Sequence, residues 1–118
     1  MGVQVLSYDL MKQMSKRDRI GKILEIVKNK DVVMLEGRLD SEEESELITE
    51  ALESVSGKFS GIEVAFLDSH KSNGILEKLR NTLLKVIAKN RIGITVIGPS
   101  KIIKEIKMDP NKLEILFK

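Results

Sequence analysis

Residues 32–44 read Val32-Val33-Met34-Leu35-Glu36-Gly37-Arg38-Leu39-Asp40-Ser41-Glu42-Glu43-Glu44, and the fold class turns on them. The run from 32 to 36 is short and apolar, as in a strand buried on both faces, and Gly37 closes it. Ser41 with Glu44 three residues later makes a Ser-x-x-Glu capping box, so a helix should start there and run to about residue 55. Upstream, residues 3–8 read as a first strand. Ser15 and Asp18 form an acidic variant of the same box, opening a helix striped by Ile20, Ile23, Leu24 and Val27 that ends near Asn29. Downstream, Gly57 is placed to end the second helix in a left-handed conformation. A strand over 62–67 follows, then a polar connection over 68–74. The longest helix covers 75–89, a strand covers 92–97, and Ser100 caps a short helix with Ile102, Ile103 and Ile106 on its inner side. Asp109 and Pro110 stop that helix, and Leu113, Ile115 and Phe117 suggest a last edge strand. The order βαβαβαβαβ predicts one small α/β domain over residues 1–118, with a four- to five-stranded sheet, mainly parallel or mixed. A two-layer α/β sandwich is the alternative if all helices fall on one face.

Composition narrows the function classes. A chain of 118 residues supports one core and buries roughly two-thirds of its unfolded surface. That core must be aliphatic, since the aromatic residues are Tyr8, Phe59, Phe66 and Phe117. With no cysteine there is no disulfide framework, thiolate metal site or thiol nucleophile. Neither a charged leader with a long apolar stretch nor an apolar run of spanning length is present, so a cytoplasmic protein without a membrane segment is expected. Fifteen lysines, fourteen isoleucines and two glutamines match the Lys/Glu-rich, amide-poor balance of hyperthermophile proteins, and a thermophilic origin is expected.

The net charge of +2 is unevenly distributed. Residues 1–30 hold seven basic and three acidic side chains, residues 31–70 two and eleven, and residues 71–118 eleven and four. Segregation of this kind suggests complementary association, between copies or with a charged partner. At 100° per residue, Leu47, Ile48, Ala51, Leu52 and Val55 share one arc of the second helix, and Glu42, Glu43, Glu46, Glu50 and Glu53 share the opposite one. Glu44 alone falls core-side. On the long helix Leu76, Leu79, Leu83, Val86 and Ile87 make the inner seam, with Lys78, Lys85 and Lys89 almost opposite. A solvated face is the ordinary explanation of each ridge. The functional one is docking, which nominates Glu43, Glu46, Glu50, Lys78, Lys85 and Lys89 as partner-binding residues.

Enzyme-like features are few. The stretch from Val32 to Asp40 resembles the first motif of Toprim domains, with Leu67-Asp68-Ser69-His70 where an Asp-x-Asp motif would be sought. His70 replaces the second aspartate, and magnesium wants converging oxygen ligands instead. Ser100 and Lys101, after Gly98-Pro99, form a weak candidate anion site at a helix start, against the simpler role of Ser100 as a cap. A single histidine without cysteine is too little for a transition-metal site. No catalytic residue, metal or cofactor is therefore assigned. The basic helix face allows backbone-directed nucleic-acid binding, but the scarcity of aromatic rings leaves few stacking platforms.

Met1-Gly2-Val3-Gln4, Leu35-Glu36-Gly37 ahead of Glu42-Glu43-Glu44, Phe59-Ser60-Gly61-Ile62-Glu63-Val64 and Ile94-Thr95-Val96-Ile97-Gly98-Pro99 together resemble the OapB/ArvB family of small archaeal proteins, a domain of unknown function. The resemblance spans nearly the whole chain and contains no catalytic signature. It implies association with a small Era-like GTPase, near whose gene such proteins are encoded, and no functional residues carry over. The expected function is a non-enzymatic interaction or regulatory module, with a GTPase as partner and homodimerisation through the opposite ridges as a further expectation. Nucleic-acid association is the runner-up, and a Toprim-like metal-dependent enzyme comes third.

Overall fold

Each strand alternates its side chains between two apolar layers, and this places the helices. The structure, a computed structural model, describes residues 2–29, 31–53, 61–68, 93–109 and 112–113. Its elements are β1 (Val3–Leu6), α1 (Tyr8–Gln13), α2 (Lys16–Lys28), β2 (Val32–Glu36), α3 (Ser41–Glu53), β3 (Ile62–Asp68), β4 (Gly93–Pro99) and α4 (Ser100–Met108). The sheet order is β1-β2-β4-β3. β1 runs parallel to β2, with Val3 opposite Val32, and β4 runs antiparallel to both β2 and β3. The sheet is thus the mixed form of the two expected. Strand–helix alternation requires a crossover only between parallel neighbours, and β1 and β2 are the parallel pair here.

Helices cover both faces, so the two-layer alternative does not apply. Val33, Leu35 and Ile97 look toward a layer built with Leu6, Met11, Ile20, Ile23, Leu24, Ile26, Val27, Leu47 and Ala51, which brings in α1, α2 and α3. Val32, Met34, Ile94 and Val96 look the other way, with Ala65 and Leu67, onto Ile103 and Ile106 of α4 and onto Leu113. All five residues of β2 are buried, as its unbroken apolar run predicts for a central strand.

Local chemistry fixes the boundaries. Ser15 caps α2, its hydroxyl accepting the Asp18 N–H at 3.1 Å, as the acidic box predicts. α3 departs from expectation by one residue: Asp40 is the cap, its Oδ1 accepting the Glu43 N–H at 2.7 Å while its carbonyl accepts the Glu44 N–H at 3.0 Å. A carboxylate accepts more strongly than a hydroxyl, and Asp40 is adjacent to Ser41. The predicted first strand also stops early, because Ser7 starts α1 by accepting the Leu10 N–H at 3.2 Å. Six residues are too few for helical periodicity to register. At the head of β4, Gly93 has φ 146°, and a Cβ there would sit 2.2 Å from the Leu67 carbonyl oxygen, so only glycine lets β3 and β4 approach this closely. The predicted helix over 75–89, with Lys78, Lys85 and Lys89, lies outside the described residues, as does His70. Of the predicted last strand, Leu113 is instead buried in a 3₁₀ turn whose other residue, Lys112, is exposed; Ile115 and Phe117 lie outside the described residues.

Candidate functional site

The acidic ridge is met by α2. Lys16, Arg17 and Arg19 lie in the first turn of α2, and α2 packs beside α3. Lys16 Nζ sits 2.8 Å from Glu42 Oε1 and 3.9 Å from Glu46 Oε1, and Arg17 pairs with Glu50. Glu43, expected on the outer arc, is instead only 6% exposed. Its Oε2 lies 2.9 Å from Arg19 Nε, a close charge contact without hydrogen-bond alignment. Arg19 also donates from Nη1 to the Met11 carbonyl at 3.3 Å, so one guanidinium ties α1, α2 and α3 together. Burial pushes the Glu43 carboxyl above its ordinary range and the neighbouring Asp40 adds to the rise, with Arg19 opposing. Asp40 is held below its usual value, first by the Glu43 backbone N–H. Lys16 is raised by its hydrogen bond to Glu42. Leu52, placed on the inner arc by angle, is 64% exposed. The cue available in the sequence was the opposition between the basic start of α2 and the acidic α3, whose complement lies within the chain.

At the end of the sheet where β2 finishes, Glu36 accepts the Tyr8 N–H at 2.7 Å through Oε1. The carboxylate that the Toprim-like motif singles out thereby serves the start of α1. Thr95 Oγ1 donates to the Gly37 carbonyl at 2.7 Å, and the Gly37 N–H donates to the Gly93 carbonyl at 3.0 Å, closing the turn onto β4. Glu36 stands opposite Ile94 and Asp68 opposite Gly93, with β4 between them. Among the described residues, no cluster of three or more His, Cys, Asp or Glu side chains could hold a metal ion. The aromatic rings described near this end carry cations: Lys12 lies 5.9 Å from the Tyr8 ring and Arg38 4.6 Å from the Phe66 ring.

α4 holds the remaining candidates. The residue preceding the helix is Pro99, which makes no side-chain cap, so Ser100 is the first helical residue and not the cap. Its N–H points to the Gly61 carbonyl at 3.4 Å. Ser100 is half-buried, and Lys101 and Lys104 are exposed. With Ile103 and Ile106 in the core, the 100° step puts Lys104 and Lys107 on one flank, and Lys101 on the outermost line of the helix, about 40° from Glu105. Lys107 reaches Glu63 of β3 at 3.7 Å, which sets the basic flank on the β3 side. Lys101 and Lys104 pair with no acidic side chain among the described residues. Nor, among those residues, is any helix long and apolar enough to cross a membrane.

The family model described as origin-associated protein OapB matches residues 11–118 of this chain. Comparison with curated proteins and with solved structures finds no match.

Proposed function

Since the chain belongs to the OapB family, we propose that it is a non-enzymatic cytoplasmic interaction module whose partner is nucleic acid, engaged through the lysines of α4. The observation that carries this reading is how the charges are allotted. Four of the six acidic residues of α3, Glu42, Glu43, Glu46 and Glu50, have countercharge inside the chain, on Lys16, Arg17 and Arg19. Lys101 and Lys104 are exposed and have no such countercharge among the described residues. The segment to which they belong, residues 71–118, carries eleven basic against four acidic side chains. A surplus of this sign favours a polyanion, whose bound counterions are released on contact. The family description, origin-associated, supports the same class of partner.

The test is fluorescence anisotropy with labelled nucleic acid at about 50 and 200 mM salt. Binding should weaken steeply between the two. Absent or salt-independent binding would refute the reading. A protein partner, such as the small GTPase that the family resemblance implies, is a second reading. It is supported by Tyr8 and Leu10, apolar groups 57% and 44% exposed on α1. Its test is binding of the purified GTPase by wild type and by the Tyr8→Ser, Leu10→Ser double variant. A protein surface would lose affinity with the loss of those side chains, whereas nucleic-acid binding would not change.

A further inference from the structure

We propose that Glu43 works a proton-dependent latch: ionised, it keeps the Arg19 guanidinium in the seam between α2 and α3, and protonated, it donates its O–H to the Asp40 carboxylate and releases Arg19. The latch does not depend on the nucleic-acid reading. Its first support is that the ion pair is incomplete. Glu43 Oε2 and Arg19 Nε lie 2.9 Å apart, yet both atoms are buried and neither has a hydrogen bond. A misaligned pair recovers little of the cost of burying two charges. The second support is that an acceptor for a protonated Glu43 is already in place. Asp40 Oδ1 accepts the Glu43 N–H at 2.7 Å, and its carboxylate lies within hydrogen-bonding reach of the Glu43 carboxyl. Two adjacent carboxyl groups readily hold one proton between them. Burial raises the Glu43 carboxyl and Asp40 adds to the rise, while Asp40 is lowered, first by the Glu43 backbone N–H, so the proton goes to Glu43.

The third support is the reach of Arg19. Its Nη1 donates to the carbonyl of Met11, in the last turn of α1. Once Glu43 is neutral, the guanidinium is a largely buried charge without compensation, a costly state that it leaves by turning out to water. The bond to Met11 goes with it, and the end of α1 loosens. The neighbouring charges have other partners. On α2, Lys16 lies 2.8 Å from Glu42 and 3.9 Å from Glu46, and Arg17 pairs with Glu50. Asp9 and Lys12 of α1 and Asp18 of α2 are exposed. β3, which also packs on α3, turns Ile62 and Val64 toward this layer, and its Glu63 is with Lys107 of α4. Glu44 stands about 100° further round α3.

The experiment is an NMR titration of the full chain from about pH 7.5 to about pH 4. It follows the Glu43 carboxyl carbon, the Arg19 Nε–H, and the hydrogen-exchange protection of α1 relative to α4. In wild type, Glu43 should titrate above 4.5, the Arg19 signal should move with the same midpoint, and α1 should lose protection severalfold while α4 keeps its own. Glu43→Gln carries a neutral donor at every pH, so it should show the low-pH Arg19 signal and weak α1 protection throughout. Asp40→Asn removes the adjacent negative charge and should bring the Glu43 midpoint down toward 4.5. An Arg19 signal indifferent to the Glu43 titration, or wild-type protection of α1 in Glu43→Gln, would overturn the latch. A Glu43 midpoint unmoved in Asp40→Asn would overturn the role given to Asp40. Circular dichroism lost over the same range in wild type would also overturn the latch, since the release would then be unfolding of the whole chain.

Discussion

Removing either half of the Arg19–Glu43 contact should cost more than any other single charge change on the described surface. Glu43 is 8% and Arg19 23% exposed in their side chains, at 2.9 Å separation. Breaking a fully buried pair costs about 3–5 kcal/mol, because the survivor is left uncompensated. Arg19 retains some access to water, which lowers the expectation to about 2–3 kcal/mol for Arg19→Met or Glu43→Leu near neutral pH. Arg19→Met additionally forfeits the bond to the Met11 carbonyl, about 1 kcal/mol. The double variant removes both charges and leaves apolar groups in a buried seam, so it should be more stable than the sum of the two losses by about 2 kcal/mol. Urea unfolding followed by circular dichroism at pH 7.5 measures all four corners of the cycle. Losses below about 0.5 kcal/mol for each single variant, or strict additivity, would refute the view that this contact joins α2 to α3.

Titration gives a second prediction. The folded carboxyl of Glu43 is raised above 4.5, so the native state holds its proton more tightly than the unfolded chain does, and stability falls as pH rises through the window just above 4.5. Glu43→Gln should abolish that fall in a series of urea midpoints against pH. Asp40 is lowered below 3.8, so its contribution is complete above 3.8 and lost as pH falls further, a loss that Asp40→Asn should remove. The cap assignment separates two neighbours: Asp40→Ala should lower the thermal midpoint clearly more than Ser41→Ala does, which shows which residue carries the helix start. Gly93→Ala should fail to fold or lose several kcal/mol by urea unfolding, because its methyl would meet the Leu67 carbonyl at 2.2 Å; an unperturbed variant would mean that β3 and β4 have room to separate.

Most elements were legible because their patterns are strong and local. The apolar run of β2, the Ser15 cap and the isoleucine spacing of α4 each state their structure within a few residues. Three things were not legible for identifiable reasons. Strand direction depends on where β4 inserts, which no local pattern encodes. α1 is too short to show a period, although Ser7 announces it. The exposure of Glu43 was misjudged because helical angle alone cannot tell that Arg19 of another helix waits on that side. The candidate surface was legible in outline only: the surplus of lysine after residue 71 is plain in the sequence, but its separation from the acidic ridge requires knowing which charges already have partners.

The strand order has a consequence for synthesis of the chain. β4 lies between β2 and β3, yet it is made last of the four. While the ribosome is still adding residues 69–92, β2 can pair with β1 alone, and its other edge, Val33 to Glu36, has no mate until Gly93–Pro99 emerges. Translation at roughly 5–20 residues per second makes that wait one of seconds. Through it the nascent protein displays an unpaired apolar strand, the kind of edge on which chains stick to one another. Slowed elongation between codons 69 and 92 should therefore lower soluble yield without altering a single contact of the finished fold.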